Sequence, residues 1–450
     1  MLNDVIAAVA TPGGRSAIAL IRMSGRGAHG VAARVLDAFV TQPARVVRRT
    51  LARHPSSGEQ LDDVLYTVFA GPASYTGEDM VEIGTHGGVL APGEVLGALL
   101  AAGARDAAPG EFTRRALANG KMDLLQAEAT ADLVDATAPA QRRVALGQLD
   151  RGLSRRIDAL RERVLEIEAL VSYDIDFPEE DSGPVSPERV SVAVASLLRE
   201  LSQLIGTSSD GERLRDGALC VIAGAPNTGK SSLFNALLGH DRAIVTDVAG
   251  TTRDAIEASA SCNGFPFRLI DTAGLRESDD AIERLGIEVS RRYLEAADMV
   301  LFCVEAGRAL QQVERAFVSG LSVPAVVVGT KCDLNPITVG TDPPEQAIAV
   351  SALTGDGISV LRERMAELAF GAVAASAQLE PVLTRERHRV ALDGARAEVT
   401  AFREARYTGL EAVVAATHLR AAITALEGVI GVVTTEDVLD RLFATFCVGK

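Results

Sequence analysis

Tryptophan is missing, and aromatic residues of all kinds make up 4% of the 450 residues. Packed cores must therefore be built from Leu, Ile, Val and Ala, which the 47% hydrophobic content supplies amply. Cysteine is scarce. Cys220, Cys262, Cys303, Cys332 and Cys447 stand apart, with no C-x-x-C pair and no metal-ligand spacing. That excludes a disulfide framework and a zinc module and points to reduced thiols in a cytoplasmic setting. Basic charge is in deficit, with 45 Lys and Arg against 60 Asp and Glu and a net charge of -15. Such a balance excludes a surface that wraps nucleic acid along its whole length, but not a local basic patch. No apolar run approaches a membrane span. Met1-Leu-Asn-Asp4 lacks the basic stretch of a signal peptide, and no internal repeat is visible.

What is present centres on Gly224-Ala-Pro-Asn-Thr-Gly229-Lys230-Ser231. An apolar run, Leu219 to Ala223, precedes it, and Ser232-Leu233-Phe234-Asn235 opens a helical stretch after it. The order strand, Gly-rich loop, helix with G-x-x-x-x-G-K-S spacing is the P-loop pattern. Small residues let backbone N–H groups close on phosphate oxygens, Lys230 adds positive charge, and Ser231 offers a hydroxyl to Mg²⁺. A glycine turn of no function can match the spacing alone; the strand and helix on either side count against that.

At this length roughly three domains are expected. Residues 1–118 alternate short apolar runs with Gly/Pro punctuation and read as α+β. From 119 to 215 the texture is helical. Leu149, Leu153, Ile157, Leu160, Val164, Ile167 and Val171 mark one long amphipathic helix. Its polar face carries Arg151, Arg155, Arg156, Arg161 and Arg163, either a solvated face or a contact for RNA or a partner. Residues 216–375 alternate strands and helices as a doubly wound, mostly parallel sheet. Residues 376–450 return to helix, with Thr434-Thr-Glu-Asp437 resembling a capping box. The two helical stretches read as one discontinuous domain carrying an inserted α/β unit, or as two separate ones.

Four further stretches stand in the order a guanine-nucleotide site needs. Gly250-Thr251-Thr252-Arg253 can bring a threonine to Mg²⁺ and the terminal phosphate. Asp271-Thr272-Ala273-Gly274 ends an apolar strand with a carboxylate for the Mg²⁺ shell and a glycine N–H for the γ-phosphate. Thr330-Lys331-Cys332-Asp333 follows another strand, and Asp333 can accept from the guanine N1–H and amine. Ser351-Ala352-Leu353 can turn backbone N–H groups toward guanine O6. This part of the chain resembles the translation-factor-like GTPases, with Thr330 in place of the commoner asparagine. Leu275 stands where Ras-like enzymes carry a water-orienting glutamine. Glu277, Asp279, Asp280 and Glu283 follow it, either as solvated acids or with one acting on the attacking water. Asn227 can ligate a monovalent cation beside the β/γ-phosphates, in the office of an arginine finger, or simply tolerate an unusual backbone angle.

Motifs across the rest of the chain carry a wider resemblance. They are Ala10-Thr-Pro-Gly-Gly-Arg15, Ile21-Arg-Met-Ser-Gly25, Tyr75-Thr-Gly-Glu-Asp79 with Glu82, His86-Gly-Gly88, Pro109-Gly-Glu-Phe-Thr-Arg114, Asn119-Gly-Lys121 and Phe446-Cys-Val-Gly-Lys450. Together they resemble the MnmE/TrmE family of tRNA-modification GTPases over essentially the whole length. The resemblance implies an N-terminal folate-binding and dimerising domain, a helical domain and an inserted G domain. It implies a K⁺-stimulated GTPase working as a homodimer with the flavoprotein MnmG (GidA), in a heterotetramer or larger complex. The tRNA would be held mainly through that partner. The product would be a carboxymethylaminomethyl or aminomethyl group at C5 of the wobble uridine. Its carbon would come from 5-formyl- or methylene-tetrahydrofolate. The folate positions would be Arg22, Glu82, Lys121 and Lys450. Glu283 would be the catalytic acid/base, beside Lys230 of the P-loop. Asn227, Thr246, Val248 and Thr251 would hold K⁺, and Ser231 and Thr252 would hold Mg²⁺. The nucleotide would touch Gly224, Thr228, Gly229, Ser232 and the run Thr246, Asp247, Val248, Ala249 and Gly250. Cys447 would lie near the folate, as nucleophile or structural thiol. Arg115-Ala-Leu-Ala118 and Gly84-Thr85 depart from the family's usual residues. A regulatory switch in ribosome or RNA assembly would carry the same G motifs, but would need neither the folate positions nor the terminal Cys-Val-Gly-Lys.

Overall fold

The computed structural model describes residues 4–176, 187–239, 256–271, 293–334, 347–374, 381–432 and 436–449. They form two compact units, Met1–Ala131 with Glu427–Lys450, and Asp132–Leu426.

The first unit is built on six strands: β1 (Ile6–Val9), β2 (Ile18–Ser24), β3 (Arg48–Arg53), β4 (Gln60–Phe69), β5 (Met80–His86) and β6 (Arg105–Asp106). Their order is β3-β4-β5-β2-β1-β6, and only the β1–β6 pair is parallel. Period-two alternation decides the faces. Ile21 and Met23 of β2, Val64, Tyr66 and Val68 of β4, and Ile83 of β5 turn to one side. There Val31 and Val35 of helix Ala28–Val35 and Val95 and Leu99 of helix Ala91–Ala101 complete the core. Ile6 and Ala8 of β1 turn the other way and pack on Phe112 of helix Glu111–Ala118. Arg22 and Glu82 belong to this second side and stand opposite each other across β2 and β5. The terminal helix Glu436–Ala444 docks in the same unit, with Phe443 and Phe446 against Ala127 and Leu117.

In the second unit, β7 (Ala218–Gly224), β8 (Ile256–Cys262), β9 (Phe265–Asp271), β10 (Met299–Glu305), β11 (Ala325–Thr330) and β12 (Ile348–Ala349) make a sheet ordered β12-β11-β10-β7-β9-β8. Only the β8–β9 pair is antiparallel. Continuous apolar strands mean that both faces are covered. Cys220, Ile222 and Leu301 pack beneath Leu233 and Leu237 of helix Lys230–Leu238 and Leu361 and Met365 of helix Ile358–Ala374. Val221, Val300 and Phe302 face the opposite layer with Leu294 and Val318. Burial pushes the thiols of Cys262 and Cys303 up to about 12, so both behave as small apolar core residues.

Three expectations change. The helix expected from Leu149 begins at Gly152, because Asp150 closes helix Pro139–Leu149 and Arg151 takes a left-handed φ of 60°. A Cβ at position 152 would lie 2.8 Å from the Gly147 carbonyl, so the tight corner favours glycine. Beyond it Leu153, Ile157, Leu160, Val164, Ile167 and Val171 are all buried as their spacing demands. Four of the face arginines are paired within the chain: Arg156 and Arg163 both reach Glu200 of helix Pro187–Ile205, Arg151 reaches Asp158 and Arg161 reaches Glu162. Lastly, helix Ala412–Ile430 is long and apolar enough to cross a membrane, contrary to the reading of apolar runs. Its Ala415, Leu419 and Ala422 lie buried at steps of four and three, the stripe of a packed core helix. Thr434 of the expected capping box lies outside the described residues.

Candidate functional site

The P-loop, Asp271, the Thr330–Asp333 stretch and Ser351 stand at the carboxyl ends of the parallel strands, where an open α/β sheet leaves a crevice. β7 delivers Gly224 at φ 141°, where a Cβ would lie 2.4 Å from the Cys303 carbonyl of β10. Asn227 at φ 63° and Gly229 at φ 81° then curl the loop into helix Lys230–Leu238. Its first N–H groups are the orphan donors that favour an anion. The Lys230 ammonium is buried and donates to the Ala225 carbonyl at 2.8 Å, as does Thr228 Oγ1. Ser231 and Ser232 are exposed beside them. Asp271 closes β9, buried and in register with Ile222 of β7. The Ser231 hydroxyl and the Asp271 carboxylate are hard oxygen donors of the kind Mg²⁺ takes.

The base-reading stretch also braces the loop. Thr330 Oγ1 donates its single proton to the Thr228 carbonyl at 2.6 Å, the nearer acceptor, with the Val304 carbonyl at 3.0 Å. Lys331 Nζ donates to the Asn227 carbonyl at 2.9 Å and to Glu305 at 2.6 Å. That bond holds the Glu305 carboxyl below its usual range. Threonine at 330 therefore ties β11 to the P-loop through its hydroxyl, a role the sequence alone did not reveal. Thr330→Val keeps the shape and loses the bond. Nucleotide affinity should fall roughly five-fold, the worth of about 1 kcal/mol for one net hydrogen bond. Fluorescent GDP titration measures it. Asp333 stays exposed for a ligand. Ser351 is buried, with its hydroxyl accepting from the Thr354 N–H at 3.2 Å, while Ala352 and Leu353 project outward.

Several nominated residues lie outside the described ones: Thr246, Asp247, Val248, Ala249, Gly250, Thr251, Thr252, Thr272, Ala273, Gly274, Leu275, Glu283 and Lys450. Among the described residues no cluster of three or more His, Cys, Asp or Glu could hold a metal.

A second constellation forms in the first unit. Arg22 donates through Nε and Nη2 to Glu82 Oε1 at 3.0 and 2.9 Å, and through Nη1 to the Gly449 carbonyl at 3.2 Å. Gly449 at φ 99° fits closely: a Cβ would lie 2.7 Å from Ala10 Cα. The chain's last turn thus lies against the start of the sheet. The Arg22 guanidinium lies 5.3 Å from the Tyr75 ring and 5.8 Å from that of Phe112, within cation–π range. Lys121 reaches the Pro72 carbonyl at 2.9 Å and packs against Gly77, so it borders the same loop. Cys447 is exposed nearby, its carbonyl accepting from Gly110 N–H at 3.5 Å. Tyr75, half-buried, and Phe112, fully buried beneath the guanidinium, are ring neighbours of Arg22 that charge-based reading missed. Both stood inside quoted motifs, and their aromatic character in a chain poor in aromatics was the available signal.

Residues 5–121 match the family described as GTP-binding protein TrmE N-terminus, and residues 124–447 match the MnmE helical domain. The tRNA modification GTPase MnmE of Moorella thermoacetica is 40% identical, covering 100% of both chains. That of Aquifex aeolicus is 39% identical, again over 100% of both. Among solved structures, the G domain of the T. maritima FeoB iron transporter is 26% identical over 34% of this chain and 98% of that one, with a TM-score of 0.27. The chain belongs to the MnmE family of tRNA modification GTPases.

Proposed function

We propose that this chain hydrolyses GTP to time a folate-dependent modification at C5 of the wobble uridine of tRNA, in concert with a flavoprotein partner. The observation that carries the reading is the meeting of Arg22, Glu82 and the terminal Gly449 beside Tyr75 and Phe112, in one chain with a complete phosphate loop. An assembly switch needs the loop alone.

In the G site the loop N–H groups and Lys230 bind and orient the phosphates. Mg²⁺, when bound, neutralises phosphate charge, and Ser231 and Thr252 would hold it, with Asp271 behind them. Asn227, with Thr246, Val248 and Thr251, would hold K⁺. Leucine at 275 can neither donate nor accept a hydrogen bond, and among the acids that follow it the family resemblance favours Glu283 for the proton work on the attacking water. In the other site the Arg22–Glu82 pair has a cation and a carboxylate for the polar edge of a folate. Half-buried Tyr75 offers a flat apolar face suited to a ring system, and buried Phe112 backs the guanidinium from the core. Lys121 and Lys450 suit the anionic glutamate tail, and Cys447 borders the pocket. We read the chain as domains 1–118, 119–215, 216–375 and 376–450, the third inserted in a helical domain and the first dimerising.

The test is mass analysis of wobble uridines in tRNA from cells lacking this chain. The aminomethyl or carboxymethylaminomethyl group should be absent, and should return with the wild-type chain. Unchanged wobble uridines would overturn the modification reading. GTPase rates compared in K⁺ and Na⁺ buffers test the cation; equal rates would remove it.

A further inference from the structure

Beside the Arg22–Glu82 pair lies a charge cluster, centred on one buried arginine, that the proposed reaction does not use. Arg115 is fully buried on helix Glu111–Ala118. Its Nη1 donates to the Asp4 carbonyl at 2.8 Å and to Glu78 Oε2 at 3.2 Å, and its Nη2 donates to Asp4 Oδ1 at 2.8 Å and Glu111 Oε1 at 3.0 Å. Glu78 Oε2 also accepts from Ser24 Oγ at 2.8 Å. Ser24 Oγ lies 2.7 Å from Thr76 Oγ1. With Ser24's proton given to Glu78, Thr76 must be the donor of that pair. Ser24 and Thr76 are both fully buried.

Each member adjoins one of the residues around the Arg22 guanidinium. Ser24 is two residues after Arg22 on β2 and so shares its face. Thr76 follows Tyr75 in the loop before β5. Arg115 is three residues, nearly one helical turn, after Phe112. Tyr75 is further tied to the same helix through its hydroxyl, 2.9 Å from Thr113 Oγ1. Strand, loop and helix are joined by one carboxylate, and charge-assisted bonds are the strong ones. Arg115 keeps Asp4 and Glu111 as partners without Glu78, and Arg105 reaches both Glu111 oxygens at 2.6 and 2.8 Å. Asp4 also takes a bond from Arg105. The link through Glu78 is therefore spare for the fold of the helix and specific to the loop.

We propose that Glu78, held by Arg115, is a positioning residue that presets Tyr75 and Phe112 around the Arg22 guanidinium for an incoming folate. This rests on the folate reading above. Preset walls lower the ordering cost of binding, so loosening them shows as lost affinity without lost contacts.

The experiment compares the wild-type chain with Glu78→Ala, using 5-formyl-tetrahydrofolate titration calorimetry and amide hydrogen exchange without ligand. Exchange across residues 71–79 should quicken roughly ten-fold, the scale of one charge-assisted hydrogen bond. Exchange in β4 should stay as it was. Folate affinity should fall by a similar factor. Glu78→Gln keeps the acceptor for Ser24 without the charge and should fall between the two; it serves if Glu78→Ala does not fold. Unchanged exchange in 71–79 overturns the proposal, as does equal affinity in a wild type that binds. Equal quickening in β4 overturns it too, by making the role merely structural. If the wild type itself takes no folate, the folate reading and the proposal's binding claim fall together, while the exchange result alone still decides whether Glu78 sets the loop.

Discussion

GTP turnover by Lys230→Met should fall on the order of 10²- to 10³-fold, the range for losing one preorganised charge-stabilising group. The ammonium is 6% exposed and held in the loop by the Ala225 carbonyl. Its position is thus set before any phosphate arrives, and no reorganisation is spent at the moment of reaction. Methionine keeps the length and apolar stem of the side chain, so little volume is lost at this buried position. The loop itself stays braced, because Thr330 and Lys331 hold Thr228 and Asn227 by their carbonyls. Single-turnover hydrolysis at saturating GTP, with a melting curve beside it, separates the two effects. Turnover within three-fold of wild type would show that the loop N–H groups alone carry the phosphate charge.

How much of this was legible beforehand depends on the range of the physics. The P-loop could be read because its chemistry is local: the glycines, lysine and serine act within eight consecutive residues, and a strand and a helix frame them. Most strands of both sheets followed from apolar runs for the same reason, whereas the polar edge strands β3, β6 and β8 carry no such run. The break at Asp150 was not readable. The apolar spacing runs through it unchanged, and the corner is decided by the close approach of Gly152 to the Gly147 carbonyl. Nor was the role of Thr330, which lies 102 residues from its acceptor Thr228. Arg22 and Glu82 could be named as charges. That they face each other is a matter of strand register across β2 and β5, which no spacing along the chain encodes. The acidic cluster after Leu275, with Glu283, lies outside the described residues, and its part remains the proposal made above.

Removing Arg115 altogether is expected to cost the first unit about 3–5 kcal/mol, the usual penalty for breaking a buried ion pair from one side. Arg115→Met leaves Asp4, Glu78 and Glu111 facing an apolar side chain. Arg105 still neutralises part of Glu111 and Asp4, and Ser24 still serves Glu78, so the loss should sit toward the lower end. The pH dependence distinguishes charge from packing. Burial pushes the Glu111 carboxyl up, but bonds from Arg105, the Ala108 N–H and Arg115 outweigh it and leave the group below its ordinary 4.5. Stability from such a group is present above the unfolded value and lost as pH falls through the folded one. In Arg115→Met the folded value rises, so the deficit against wild type is greatest near neutrality and shrinks as acid protonates the orphaned carboxyls. Slowly exchanging amides of β2 and β5 can report this unit's own opening free energy within the whole chain, where one unfolding midpoint would mix two units. A deficit that stays constant from pH 7 down to pH 4 would assign the loss to the missing volume of the side chain. A deficit that narrows over that span would show that three carboxylates on two arginines hold helix, loop and first strand together.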